Sequence, residues 1–72
     1  MKKKEEKTDM SEFTLIVGKR IRKARKAKNL TLEELAERCG LHPAYIGQLE
    51  RGVKNASLYT LEKIACALEL SL

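Results

Sequence analysis

The stretch LEELAERCGLHPAYIGQLER, Leu32 to Arg51, reads as a short helix, a tight turn and a second short helix. Ala36 is small where the second helix presses against the first. Gly40 stands where the first helix has to stop and the chain has to take positive φ, which glycine does without a Cβ clash. Ile46 and Leu49, three residues apart, give the second helix a buried stripe. The remaining face, with Pro43, Ala44, Gly47, Gln48 and Arg51, is left short and polar, which suits a helix that lies in a groove.

The elements on either side follow from caps and periodicity. Thr31 with Glu34 three residues on is a capping box, and it starts the helix whose inner face is Leu32, Leu35, Ala36 and Cys39. Pro43 opens the next helix, where its missing amide proton costs nothing. That helix ends before Gly52, and the loop Val53 to Ala56 leads to Ser57, an N-cap for a further helix. Leu58, Leu61, Ile64, Ala65 and Leu68 form the face by which this last helix closes the core. Upstream, Phe13, Val17, Ile21 and Ala24 lie on one helical face, so a first helix is expected from Ser11 to about Lys28. Met1 to Asp9 are almost wholly charged and show no apolar period, so residues 1–10 are expected to be a disordered tail ahead of a single domain at 11–72. Leu70 and Leu72 arrive as a fifth helix would barely begin. The expected fold class is all-α: a compact bundle of four to five helices.

Composition narrows the function. Fifteen Lys and Arg against ten Asp and Glu give a net charge of +5, which calls for an anionic partner. Apolar runs are only a few residues long, so nucleic acid is favoured over membrane. Lysines at the N-terminus are not followed by an apolar segment, which leaves no signal peptide and predicts a cytosolic protein. Lys19, Arg20, Arg22, Lys23, Lys26 and Lys28 make a dense basic block in the first helix. Much of it is a solvated face, and part of it is expected to flank phosphates. Cys39, Cys66 and the one histidine, His42, form no metal-ligand cluster, and the thiols are expected to be buried and reduced. His42 reads as a cap or solvent residue. No nucleophile–base pair and no glycine-rich phosphate loop is present, so no enzyme, metal or cofactor is expected.

From Gly18 to Leu72 the pieces GKRIRKARKAKNLTLEELAERCGL, YIGQLERG and NASLYTLEKIACAL resemble, in order and spacing, the lambda-repressor-like, Cro/C1-type helix-turn-helix domains of the XRE family. HPAYIGQLERG followed by NASL looks most like controller proteins of restriction–modification systems and other small dimeric repressors. The resemblance implies a DNA-binding domain, with the motif at 32–51, whose third helix enters the major groove. It assigns base contacts to Pro43, Ala44, Gln48 and Arg51. It assigns sugar–phosphate contacts to Tyr45, Lys54, Asn55 and Ser57, with Arg20 from the basic block beside them. Arg25 and Glu50 match a structural pair that ties the first helix to the third, alongside Ala36, Gly40, Ile46 and Leu49 as scaffold. Tyr45 has a structural reading too, as a ring packed against the fourth helix. Gln48 has one as an ordinary exposed residue.

This chain departs from the family at Leu32, where many relatives carry a phosphate-touching Gln, and at Pro43 and Ala44, which offer a base edge no side-chain hydrogen bond. Direct readout is therefore thin. Gln48 can pair with adenine or donate to guanine, and Ala44 can pack a thymine methyl. The expected function is a transcriptional regulator, of repressor type, that binds a two-fold operator as a homodimer in a bacterial or phage-type cytosol, at the nucleoid. Leu70 and Leu72 are candidates for the dimer contact. Two other readings fit the same residues: the DNA-binding part of a longer regulator, and a protein–protein module, antitoxin- or coactivator-like, on the same fold.

Overall fold

The computed structural model describes the backbone of residues 2–70 and the side chains of residues 12–70. Four helices follow in order: α1 (Lys2–Ala27), α2 (Leu32–Cys39), α3 (Pro43–Glu50) and α4 (Leu58–Ala67). Among the described residues there is no strand and no fifth helix, and Leu72 lies outside them.

The punctuation read from the sequence is present as local geometry. The Thr31 hydroxyl accepts from the Glu34 amide at 3.0 Å, and the Glu34 carboxylate accepts from the Thr31 amide at 2.8 Å, so two of the amides left over at the start of α2 are satisfied. Gly40 ends α2 at φ 70°, in the left-handed region. Pro43 occupies the first turn of α3, with His42 at its N-cap position making no side-chain capping bond. The Ser57 hydroxyl caps α4 by accepting from the Thr60 amide at 3.1 Å.

α1 begins at Lys2 rather than near Ser11, so its first turns run through the segment expected to be a disordered tail. Lys and Glu lose little rotamer freedom in a helix, and adding residues to a helix already nucleated by its packed turns needs no new nucleation. At the other end α1 stops at Ala27. Asn29 takes φ 57° and the Leu30 amide reaches back to the Arg25 carbonyl at 3.1 Å, which closes the last turn.

α3 sits at the centre, packed on α1 and α2, while α4 packs on α2. Leu35, Ile46, Ile64 and Leu68 are fully enclosed, and Ile21, Leu30 and Leu49 complete the apolar interior. Three expected core positions are not there. Phe13 is 63% exposed, because it stands a turn beyond the stretch of α1 that meets α3. Leu58 is 76% exposed, at the first residue of α4 and on the margin of its apolar stripe. Cys66 is exposed while Cys39 is buried, since at 100° per residue Cys66 falls on the far side of α4 from Leu61, Ile64 and Leu68. Burial pushes the Cys39 thiol above its ordinary pKa, against the opposing pull of Lys63.

Gly18 is where α1 and α3 come closest. A Cβ built there would stand 2.6 Å from the Glu50 carbonyl oxygen and overlap that of Leu49, so backbone, not a flexible side chain, blocks any larger residue. Gly47, also buried, is different: an added Cβ would meet only Arg51 Nη1 at 3.5 Å and Leu32 Cδ1 at 3.7 Å. Overpacking costs about 1–3 kcal/mol, more than the gain of up to about 1 kcal/mol from replacing a helical glycine by alanine. Gly18→Ala is therefore expected to lower the thermal midpoint, and Gly47→Ala to leave it unchanged or raise it. Melting both variants by circular dichroism checks the contrast, and equal midpoints would count against it.

Candidate nucleic-acid interface

α3 is held in place by charge as well as by packing. Arg25 of α1 donates through Nε to Glu50 Oε2 at 2.7 Å and through Nη2 to Glu50 Oε1 at 3.0 Å, while Nη1 donates to the Leu30 carbonyl at 2.8 Å. The two side chains are only 11% and 6% exposed. This fork-to-fork geometry fixes the end of α3 in angle as well as distance. Hydrogen bonding to the Glu50 carboxylate raises the Arg25 pKa, so the guanidinium stays charged at every pH the fold meets. The expected structural pair is thus formed, and Ala36, Ile46 and Leu49 are buried around it.

With its inner face anchored, α3 turns Ala44, Gln48 and Arg51 outward. Their i, i+4, i+7 spacing makes one ridge, on which Ala44 and Arg51 are exposed and Gln48 is half-buried. Pro43 is half-buried beside this ridge. Gly47, placed by the sequence reading on the outer face, is instead buried toward α2, between Leu32 and the Arg51 side chain, which folds back over it. Leu32 is accordingly half-buried against α3 and the core. Tyr45 is half-buried and packs on the core cluster.

The loop after α3 supplies a second group. Gly52, at φ 74°, makes the exit turn with Leu15 of α1 lying directly over it, where any side chain would collide with Leu15. Lys54 and Asn55 are exposed, and Asn55 is tied to α1: the Thr14 hydroxyl donates to its carboxamide oxygen at 2.5 Å. Ser57 is exposed, but its hydroxyl is occupied twice, accepting from the Thr60 amide and donating to Thr60 Oγ1 at 3.0 Å. What Ser57 can offer an anion is its backbone amide, not its side chain.

Arg20 stands apart from these two groups. It is exposed, yet it lines a groove between α1 and α4 to which α3 contributes nothing. Gly18, Thr14 and Leu15 were not singled out as site-shaping residues by the sequence reading. A lone glycine in a helical period signals close backbone approach, so Gly18 was legible in principle. Thr14 and Asn55 are 41 residues apart and nothing local links them.

A bundle that presents one helix ridge and an adjoining loop from a rigid frame defines a helix-turn-helix domain, and a helix-turn-helix family model matches residues 21–72. The chain belongs to that family, in its Cro/C1 (XRE) branch. It is 46% identical over 59 residues to the control protein C.BamHI of Bacillus amyloliquefaciens, covering 81% of this chain and 73% of that one. It is 39% identical over 57 residues to the transcriptional regulator SinR of Bacillus subtilis, of whose length it spans 51%. Among solved structures, the restriction–modification controller protein C.AhdI from Aeromonas hydrophila superposes with a TM-score of 0.81 at 40% identity, covering 83% of this chain and 91% of that one. SinR in complex with DNA superposes with a TM-score of 0.73 at 39% identity, covering 76% and 89%.

Because Arg25 and Glu50 are nearly enclosed, removing one leaves the other charged and unpaired away from water. Glu50→Ala is expected to cost about 3–5 kcal/mol in urea unfolding, most of the stability of a domain this small. Salt should change that loss little, since buried pairs are weakly screened. A loss below about 1 kcal/mol would mean the pair does not hold α3.

Proposed function

We infer that this chain is a DNA-binding transcriptional regulator that lays α3 in the major groove and grips the sugar–phosphate backbone with the loop at 53–57. The observation that carries this reading is the continuous surface formed by the Ala44–Gln48–Arg51 ridge and the exposed Lys54–Asn55 loop, on a protein of net charge +5. Gln48 and Arg51 provide the hydrogen bonds to base edges, and Ala44, with Pro43 beside it, provides apolar contact with a thymine methyl. Lys54, Asn55 and the Ser57 amide hold phosphates, and Tyr45 borders them with its half-buried ring. Counterion release from those phosphates makes the affinity fall steeply with salt. The chain works without catalysis, in the cytosol. No helix among the described residues is long and apolar enough to cross a membrane.

One ridge reads one half-site, so useful discrimination needs two copies on a two-fold operator. The groove between α1 and α4, about 260 Å³ in volume, is the surface we assign to the second copy. Phe13 and Leu70, 63% and 48% exposed, stand at it together with Val17, Ile21 and Leu61. In this arrangement Arg20, expected from the family resemblance beside the phosphates, borders the dimer contact instead. Leu72, the other expected contact, lies outside the described residues.

Selection of bound duplexes from a random pool, at two salt concentrations, tests the reading. The wild-type chain should enrich a motif with two-fold symmetry, and Gln48→Ala should blur one position in each half while retaining salt-sensitive binding. The lost bidentate pair is worth about 1–3 kcal/mol per half-site. Binding without any motif, or no binding, would favour a protein-binding role for the ridge.

A further inference from the structure

The first packed turns of α1 touch the loop after α3 at three consecutive residues. Leu15 covers Gly52, Thr14 donates to Asn55 at 2.5 Å, and Phe13 lines, with Lys54, Asn55 and Ala56, a gap of only about 30 Å³ beneath the loop. That gap has room for about one water molecule. The loop is therefore seated on α1 rather than carried by α3 alone. All three α1 residues precede the segment 21–72 matched by the family model.

The chemistry of the contact has a direction. A carboxamide is planar, with its oxygen and nitrogen at opposite corners, the first an acceptor and the second a double donor. Donation from Thr14 holds the Asn55 oxygen toward α1 and leaves the Nδ2 hydrogens on the solvent side of an exposed residue. Reversed, Nδ2 would donate to the same hydroxyl and the oxygen would face a phosphate and be repelled, so the contact to Thr14 and the phosphate together favour the orientation seen. An unheld asparagine would spend part of its time that way round, and would have to be ordered on binding.

We propose that Thr14 is a positioning residue for DNA binding: it never meets the DNA, but it fixes the Asn55 carboxamide with its donors outward so that Asn55 grips one phosphate in each half-site. The proposal rests on the reading of Asn55 as a phosphate contact, and the test separates the two. The probe is the duplex recovered by selection. Binding by wild type, Thr14→Val, Thr14→Ser, Asn55→Ala, Asn55→Asp and the double variant Thr14→Val/Asn55→Ala is measured by anisotropy. Phosphate ethylation interference is run on each, with melting of the free proteins as control. Asn55→Ala should weaken binding about tenfold per half-site, the scale of one hydrogen bond to a charged group, and erase interference at one phosphate per half-site. Asn55→Asp should weaken it further, since it keeps the acceptor for Thr14 but puts an anion against the phosphate. Thr14→Val should weaken binding about three- to tenfold and erase interference at the same phosphate. Thr14→Ser, which keeps the hydroxyl, should restore both. The double variant should bind no worse than Asn55→Ala, because one contact is lost either way.

Unchanged binding and interference in Asn55→Ala would overturn the assignment of Asn55, and the proposal with it. Loss in Asn55→Ala alongside unchanged or strictly additive behaviour of Thr14→Val would overturn the role of Thr14 and leave Asn55 standing. A lower melting point in Thr14→Val with the interference pattern intact would make Thr14 structural only, and so also overturn the proposal.

Discussion

The forked pair between Arg25 and Glu50, set beside the glycine contact at Gly18, is the constraint on which the rest of this structure depends. α3 has only eight residues, Pro43–Glu50, too short to hold a direction by itself. Its C-terminal end is fixed because Arg25 donates there to Glu50 through Nε and Nη2, while its Nη1 donates to the Leu30 carbonyl. Gly18 lets the α1 backbone come down against the Leu49 and Glu50 carbonyls, which is what brings Arg25 within reach. Each contact needs the other. A buried pair of this kind is weak evidence for net stability, because desolvation offsets most of the attraction, but it is strong evidence for geometry. Apolar residues of the same volume would hold α3 against α1 without fixing its rotation, and rotation decides which side chains form the outer ridge.

How much of this was legible from the sequence depends on the range of the interaction. Caps and turns are local, so Thr31 with Glu34, Gly40, Pro43 and Ser57 could be read directly, and each has its expected geometry. Periodicity gave the inner stripe of α3 and most of α2. It failed for Leu58, at the start of α4, and for Phe13, on a turn of α1 beyond those that pack on α3, because a period says which face is apolar and not how far along the axis the neighbour extends. It failed too at Gly47, which has no side chain to bear a polarity and so read as part of the outer face. The start of α1 was missed for another reason. Disorder was inferred from charge density, but Lys and Glu are also good helix formers once a packed helix lies next to them. Of the candidate site, the ridge residues were legible through family spacing. The Thr14–Asn55 bond was not, since no local rule joins residues 41 apart.

The ridge is sparse, and that shapes how such a domain can discriminate. Pro43 and Ala44 bring no hydrogen bonds, and Arg51 lies back over Gly47, so Gln48 is the side chain with both donor and acceptor at the ridge. A contact set this small makes discrimination sensitive to register. If the domain could slide or tilt by a fraction of a base pair, Gln48 would find acceptable partners on more than one base. Phosphate contacts carry no sequence information, but they fix register. On the proposed reading rigid backbone contacts and few base contacts belong together, with the loop braced by α1 and α3 anchored by Arg25.

The same logic explains why one helix does both tasks. α1 holds α3 through Gly18 and Arg25, and it holds the loop after α3 through Leu15 and Thr14, with both sets on about three turns of one rod. The distance between ridge and loop is only as well defined as the body that connects them, and a continuous helix is a stiff connection for a chain of this size. Seating the loop on α1 ties it to a continuous helix as well as to α3. The turns of α1 that carry Thr14 and Leu15, ahead of the segment matched by the family model, therefore belong to the same braced body as α3.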